Sequence, residues 1–216
     1  MRDPFASITR KQRLQERWLR LRRALARPVR PGRSAERREG PPSLVLIGVD
    51  TLRRDHVTPE LMPHLHARGH EGRDLADTMA TAPWTLSSFA SPLTGLAPSL
   101  HGAVLPGAVR NMDRQVPRRL EPSVTTLAGH LASQGYATAA FYANQFFAFG
   151  LAESFGEHRY LNLPAEALLD GAADWIRRHA DRLFCCFVLL NDPHEPTTPP
   201  AHHLRPELDA LEDPAG

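Results

Sequence analysis

Ser43-Leu44-Val45-Leu46-Ile47-Gly48-Val49-Asp50 is a nearly continuous apolar run that ends on a carboxylate. This is the pattern of a buried parallel strand whose last residue emerges at the carboxyl edge of a sheet. Beyond it, Thr58-Pro59-Glu60 offers an N-cap with proline at N1. Leu61, Met62 and Leu65 follow and Gly69 closes the segment, which predicts a short helix. A second helix is expected over about Ser123 to Gln134, with Val124, Leu127 and Leu131 on one face and Gly135 at C′. It feeds a strand from Ala137 to Ala143. A third helix, about Ala165 to Arg182, carries Leu168, Leu169, Ala172, Trp175, Ile176 and His179 at helical spacing and leads into the apolar run Leu183 to Leu190. Strands alternating with helices at this spacing predict an α/β fold, a mostly parallel sheet sandwiched by helices.

The chain has 216 residues and a mass of 24.0 kDa, enough for one domain with an extension and too much for a small stapled scaffold. Its two cysteines, Cys185 and Cys186, are sequence neighbours, which rarely pair. There is therefore no disulfide framework, and the composition fits a reducing compartment. The formal net charge of +2 conceals a split. Residues 1–40 hold 13 of the 26 basic and 4 of the 24 acidic residues, which leaves 13 basic against 20 acidic in the rest. This excludes a uniformly basic nucleic-acid-binding domain and confines any affinity for polyanions to the N-terminal arm. In the arm, Leu14, Trp18, Leu21 and Leu25 share one helical face among arginines, and Pro28 ends the pattern. It reads either as a basic amphipathic helix resting on an anionic surface, be it membrane, acidic partner or nucleic acid, or as a solvated extension. Residues 28–43, rich in proline, glycine and arginine, read as a linker. The organisation expected is an arm and linker over 1–42 and an α/β domain over 43–216. The apolar runs fall short of the ~20 residues of a membrane span, and no h-region opens the chain. The expectation is a cytoplasmic protein with no transmembrane segment.

In folds of this class ligands sit outside the carboxyl ends of the strands. Asp50 ends the first strand there, and Asn191-Asp192-Pro193-His194 follows the last. Between them in sequence, Trp84-Thr85-Leu86-Ser87-Ser88 is a hydroxyl-rich turn that could open a helix, where free backbone N–H groups and the positive end of the macrodipole suit an anionic ester. Taken singly, each has a plainer reading. Asp50 could cap a turn, Thr85 and Ser87 could be N-cap hydroxyls, and Asp192-Pro193-His194 could be only a turn.

Val45 to His56, Val-Leu-Ile-Gly-Val-Asp-Thr-Leu-Arg-Arg-Asp-His, resembles the opening strand of the sulfatases in the alkaline phosphatase superfamily. The resemblance continues through Thr58-Pro59-Glu60-Leu61, Trp84 to Leu96, His101-Gly102, Leu127-Ala128, Gly135 to Phe141 and Asp192-Pro193-His194-Glu195-Pro196. It implies an alkaline-phosphatase-like fold and metal-assisted hydrolysis of a small-molecule sulfate or phosphate ester, with Ca²⁺, Mn²⁺ or Zn²⁺ as cofactor. By the same resemblance Asp50 is a metal ligand and Thr85 the nucleophile. His194 holds an ester oxygen or protonates the leaving group, and Asn144 and Ser87 are candidate substrate-binding residues. Arg53 and Arg54 read equally as solvated loop charges.

The departures from that family are specific. Its formylglycine-forming cysteine or serine is Thr85 here, which cannot follow that conversion, and the arginine four residues on is Phe89. A lysine and a histidine after the Gly-Tyr-x-Thr-Ala stretch give way to Asn144 and Gln145, and a second aspartate after the first gives way to Thr51. A threonine nucleophile instead resembles the phosphoester-cleaving relatives of the superfamily. The family's later Ser-Asp-His-Gly segment has no counterpart, and the adjacent His202 and His203 read as a surface loop. The expectation is a domain incomplete on its C-terminal side. A C-terminal half or a second copy would complete the sheet. The alternative is a catalytically inactive fragment that acts as a binding or interaction protein.

Overall fold

The computed structural model describes residues 40–75, 77–105 and 116–194. The arm helix, its linker and His202-His203 lie outside them. The chain divides between Pro41 and Pro42, and the described fold lies in the second unit.

Strands β1 (Leu44–Val49), β2 (Ala137–Tyr142), β3 (Glu157–Tyr160) and β4 (Phe184–Leu190) form one parallel sheet in the spatial order β1-β4-β2-β3. Helices α1 (Pro63–Glu71), α2 (Thr85–Thr94), α3 (Pro98–His101), α4 (Leu127–Ser133) and α5 (Ala165–Arg178) complete the regular structure, with short 3-10 turns at Arg54–His56, Gln145–Ala148 and Ala152–Ser154. On one face of the sheet Leu86, Ala90 and Leu93 of α2 and Ala128 of α4 pack with Ala140, Tyr142, Phe187 and Leu189. On the other, Leu168, Ala172 and Trp175 of α5 pack with Ala139, Phe141, Cys186 and Val188. Alternate residues of each strand thus serve opposite faces, and the buried strands read as continuous apolar runs for that reason. Both cysteines are free and buried, and burial pushes the Cys186 thiol up to about 12, so neither carries thiolate character.

Several expectations need correction. The first strand is not buried on both faces. Among the described strands it lies at the sheet edge, paired with β4 alone, and Val45 and Ile47 are 49% and 57% exposed. Its inner face is covered because Gly48 admits Phe89 of α2. A Cβ at Gly48 would stand 2.5 Å from Phe89 Cε1, so the absence of a side chain sets how closely helix and strand approach. The first helix starts at Pro63 rather than Pro59. Thr58 closes a turn instead, accepting Leu61 N–H on Oγ1 and Met62 N–H on its carbonyl. Gly69 therefore lies inside that helix, and Gly72 caps it. The second helix begins at Leu127 with Thr126 as N-cap, its hydroxyl accepting Gly129 N–H, and Gly135 follows with φ of 86° as expected. The third ends at Arg178 with His179 as its cap. Strand β3 carried no apolar signal, since all four of its residues are exposed at the other edge.

A buried polar strap ties α2 to the segment after α3. His101 is fully buried, and its Nδ1 accepts Ala103 N–H at 3.1 Å, so the ring proton sits on Nε2 and is donated to Ser91 Oγ at 3.2 Å. Thr81 donates to the same Ser91 oxygen at 2.9 Å, and Ser87 Oγ donates to Ala103 O at 2.6 Å. Burial lowers the His101 pKa, since the charged ring would lose hydration and its acceptor nitrogen. The folded state therefore favours the neutral ring. This stabilisation is fully present above the unfolded value near 6.5 and is lost as pH falls through the lowered folded value. The expected outcome is a melting temperature that drops between pH 7 and pH 5, with His101→Gln flattening that drop. An unchanged slope in the variant would show that other groups set it.

Candidate functional site

The sheet brings the site together by register. Val49 of β1 lies beside Leu190 of β4, and Leu189 of β4 beside Tyr142 of β2. Two further backbone bonds, Asp50 N–H to Leu190 O and Ala143 N–H to Leu189 O, carry the ladder one residue past the ends of β1 and β2. Asp50, Asn191 and Asn144 are thus the residues where three adjacent strands run out at one carboxyl edge. Thr85 reaches them as the first residue of α2, whose leading N–H groups have no intrahelical acceptors.

The side chains meet there. Thr85 Oγ1 donates to Asp50 Oδ2 at 2.9 Å. Asn144 Nδ2 donates to Asp50 Oδ2 at 2.9 Å and lies 3.2 Å from Thr85 Oγ1 and 3.3 Å from Asn191 Oδ1. The Asn144 amide is fixed in this sense because its Oδ1 accepts Phe146 N–H at 3.0 Å, so only its NH₂ can face the cluster. Among the described residues Asp50 Oδ1 has a 3.4 Å contact from Thr51 Oγ1. Thr51 itself has φ of 63°, the left-handed region in which a β-branched residue is strained by about 1–2 kcal/mol, so the chain turns sharply out of the sheet directly after Asp50.

Of the expected site residues, Asp50, Thr85 and Asn144 therefore come together. Neither Thr85 nor Ser87 is an N-cap, since Trp84 holds that position and no side chain caps α2. Ser87 is not brought to the cluster. Its hydroxyl is spent on Ala103 O inside the polar strap, two helix positions on from Thr85. His194 lies in the turn after β4, with its N–H on Asn191 O at 3.0 Å. In the same turn Asp192 Oδ1 accepts Ala165 N–H and so holds the start of α5. Arg53 binds Asp55 and Arg54 binds Asp74, both through paired bonds at exposed positions, and each hydrogen bond holds its carboxyl below the usual range. The reading of both arginines as loop charges holds. Phe89, in the place of a cation, packs edge-on to Phe187 with ring centroids 6.0 Å apart. A groove of about 350 Å³ between Pro92, Thr94, Thr126 and His130 lies at the opposite end of α2 and includes none of the cluster.

Asn191 is the member of this cluster that the sequence reading does not single out: it opens the Asp-Pro-His segment and follows the last residue of β4, the position to which the strand-end argument applies.

No curated relative matches the chain. A solved structure of a 2-O GAG sulfatase is similar with a TM-score of 0.44 and 18% identity, over 71% of this chain and 35% of that one, so the chain spans about a third of that protein's length. The sulfatase family model matches residues 42–207, which is more than half of the chain. The matched stretch runs from the start of β1 past the end of β4 and takes in Asp50, Thr85, Asn144, Asn191 and His194. The chain belongs to the sulfatase family.

Proposed function

We propose that the chain is the nucleophile-bearing part of a hydrolase for sulfate or phosphate esters, with Thr85 as nucleophile. The observation that carries the reading is the Thr85 hydroxyl, hydrogen-bonded to Asp50 Oδ2 at 2.9 Å at the start of a helix. Thr85 Oγ attacks sulfur or phosphorus while its proton passes to Asp50. The bond to the alcohol oxygen breaks, and that oxygen takes a proton, for which His194 is the candidate donor. Water then cleaves the threonine ester, restores the hydroxyl and releases inorganic sulfate or phosphate. Asn144 directs an N–H toward both Asp50 and Thr85, which holds the hydroxyl in place and supports negative charge as it develops.

The family's chemistry calls for a divalent cation, which when bound lowers the pKa of the attacking hydroxyl and neutralises ester oxygens. The donor set fits one side of such a site. Asp50 carboxylate and Thr85 hydroxyl oxygens are hard ligands of the kind Ca²⁺ or Mn²⁺ takes, and less suited to Zn²⁺. Among the described residues no group of three or more His, Cys, Asp or Glu side chains gathers. Val45 and Ile47 of the edge strand β1 are exposed, a surface on which a C-terminal half or a second copy of the chain would pack. No helix among the described residues is long and apolar enough to cross a membrane.

A second reading, an inactive binding protein, is favoured by one observation. Phe89 fills with core packing the place where a cation would steady the nucleophile. Turnover decides between the two. Aryl sulfate, phosphate monoester and phosphodiester substrates are offered to the purified chain with and without Ca²⁺, Mn²⁺ or Zn²⁺. Cation-dependent release of the aryl alcohol is expected, and its absence from a folded sample would establish the second reading for this chain.

A further inference from the structure

At the strand ends oxygens of three elements converge on one amide NH₂. Asn144 Nδ2 has two hydrogens, yet three oxygens gather around it: Asp50 Oδ2 at 2.9 Å, Thr85 Oγ1 at 3.2 Å and Asn191 Oδ1 at 3.3 Å. The Thr85 hydrogen is already on Asp50, so it relieves neither of the longer contacts. Two of the three distances are at or beyond the long end of a normal N–H···O bond. Among the described residues Asp50 Oδ1 receives the 3.4 Å contact from Thr51. Oxygens gathered around one carboxylate are the donor type a hard divalent cation takes, and the oxygens here come from three different elements.

Asn191 is the member of this set to which nothing assigns a role. Its amide orientation follows from its neighbour's. Asn144 is locked by Phe146 N–H with NH₂ toward the cluster, so the Asn191 atom that faces it is the oxygen. Its backbone is fixed as well. Residue 191 directly follows β4, between the strand ends that carry Asp50 and Asn144, and its carbonyl accepts His194 N–H. We propose that Asn191 is a ligand of the divalent cation through Oδ1, the third oxygen beside Asp50 and Thr85. This rests on the cation reading of the site given above.

The test is Mn²⁺ binding to the full chain, followed by the loss of the free-ion electron paramagnetic resonance signal, with a thermal melt recorded for each variant. Asn191→Leu keeps the shape and removes the oxygen, and affinity is expected to fall by about tenfold or more. Asn191→Asp keeps an oxygen in place and adds a charge, so affinity is expected to rise by a similar factor. Should the leucine variant fail to fold, the aspartate variant decides alone. Asp50→Asn is expected to abolish binding. Wild-type affinity in both Asn191 variants, with binding lost in Asp50→Asn, overturns the ligand role and leaves the cation site standing. Failure of the wild-type chain to bind Mn²⁺, or binding indifferent to Asp50→Asn, overturns the cation site itself and the proposal with it.

Discussion

Thr85→Ala is expected to lower cation-dependent ester hydrolysis by on the order of 10⁴-fold or more, because it deletes the atom that attacks. The residue is 7% exposed and its hydroxyl is held by both Asp50 and Asn144, so the loss should fall on kcat. Thr85→Ser keeps the oxygen and its partner and should retain most of the rate, although the lost methyl frees the hydroxyl to rotate. Asp50→Asn replaces the acceptor of the Thr85 proton with a group that cannot take it, and a loss comparable to that of Thr85→Ala is expected. The measurement is kcat and KM for each variant under the cation that supports the fastest turnover. Residual activity in Thr85→Ala close to that of Thr85→Ser would mean that another atom attacks.

Phe147→Ala should give the largest loss of stability that also reaches the site. The ring is fully buried, stacks on Phe187 with centroids 4.9 Å apart and planes 4° from parallel, and contacts Tyr142 and Phe155 at ring distance. Truncation of a core phenylalanine costs about 3–5 kcal/mol through lost burial and the cavity left behind. Phe147 lies in the same 3-10 turn as Phe146, whose N–H fixes the Asn144 amide, and its own N–H bonds to Asn144 O. Hydrolysis by the fraction that stays folded should therefore also decline. The checks are denaturant unfolding and, at a temperature where the variant remains folded, the rate per folded molecule. A destabilised variant with full activity per folded molecule would separate the aromatic core from the site.

The parts of the fold that a sequence displays are those buried on a regular period. β2, β4 and α5 were legible because strands covered on both faces must be apolar throughout, and a helix on a sheet must repeat its apolar residues. β1 was legible as a strand but not as an edge. Leu44 to Val49 is as apolar as a central strand, and only the pairing order reveals that Val45 and Ile47 are left uncovered. β3 was invisible, since Glu157-His158-Arg159-Tyr160 is exposed and has no apolar rhythm. The start of α1 was misjudged because two prolines lie four residues apart, and either would suit a helix N-terminus.

The site was legible to a similar degree. Asp50 stands out because a carboxylate ends an apolar strand, and Thr85 because it opens a hydroxyl-rich segment before a helix; the fold brings the two into a hydrogen bond. Ser87 lies two residues further on, and on a helix that spacing points a side chain to a different face, here toward Ala103. Asn191 was passed over because a neutral amide carries less chemical signal than the aspartate beside it. Asp192 drew attention, yet its carboxylate is used on the N–H of Ala165. Which of two adjacent polar residues turns toward a ligand depends on the last turn of the strand, and that turn follows from pairing rather than from composition.

The central claim is that Thr85 becomes the covalent carrier of the sulfo or phospho group. The direct measurement is to mix the full chain with an aryl ester and its supporting cation, quench in acid, digest, and map the modified residue by mass spectrometry. The expected result is a sulfo or phospho group on Thr85 in the peptide that holds Trp84 to Leu96, absent in Asp50→Asn. Turnover with that peptide unmodified, or the group on any other residue, would contradict it.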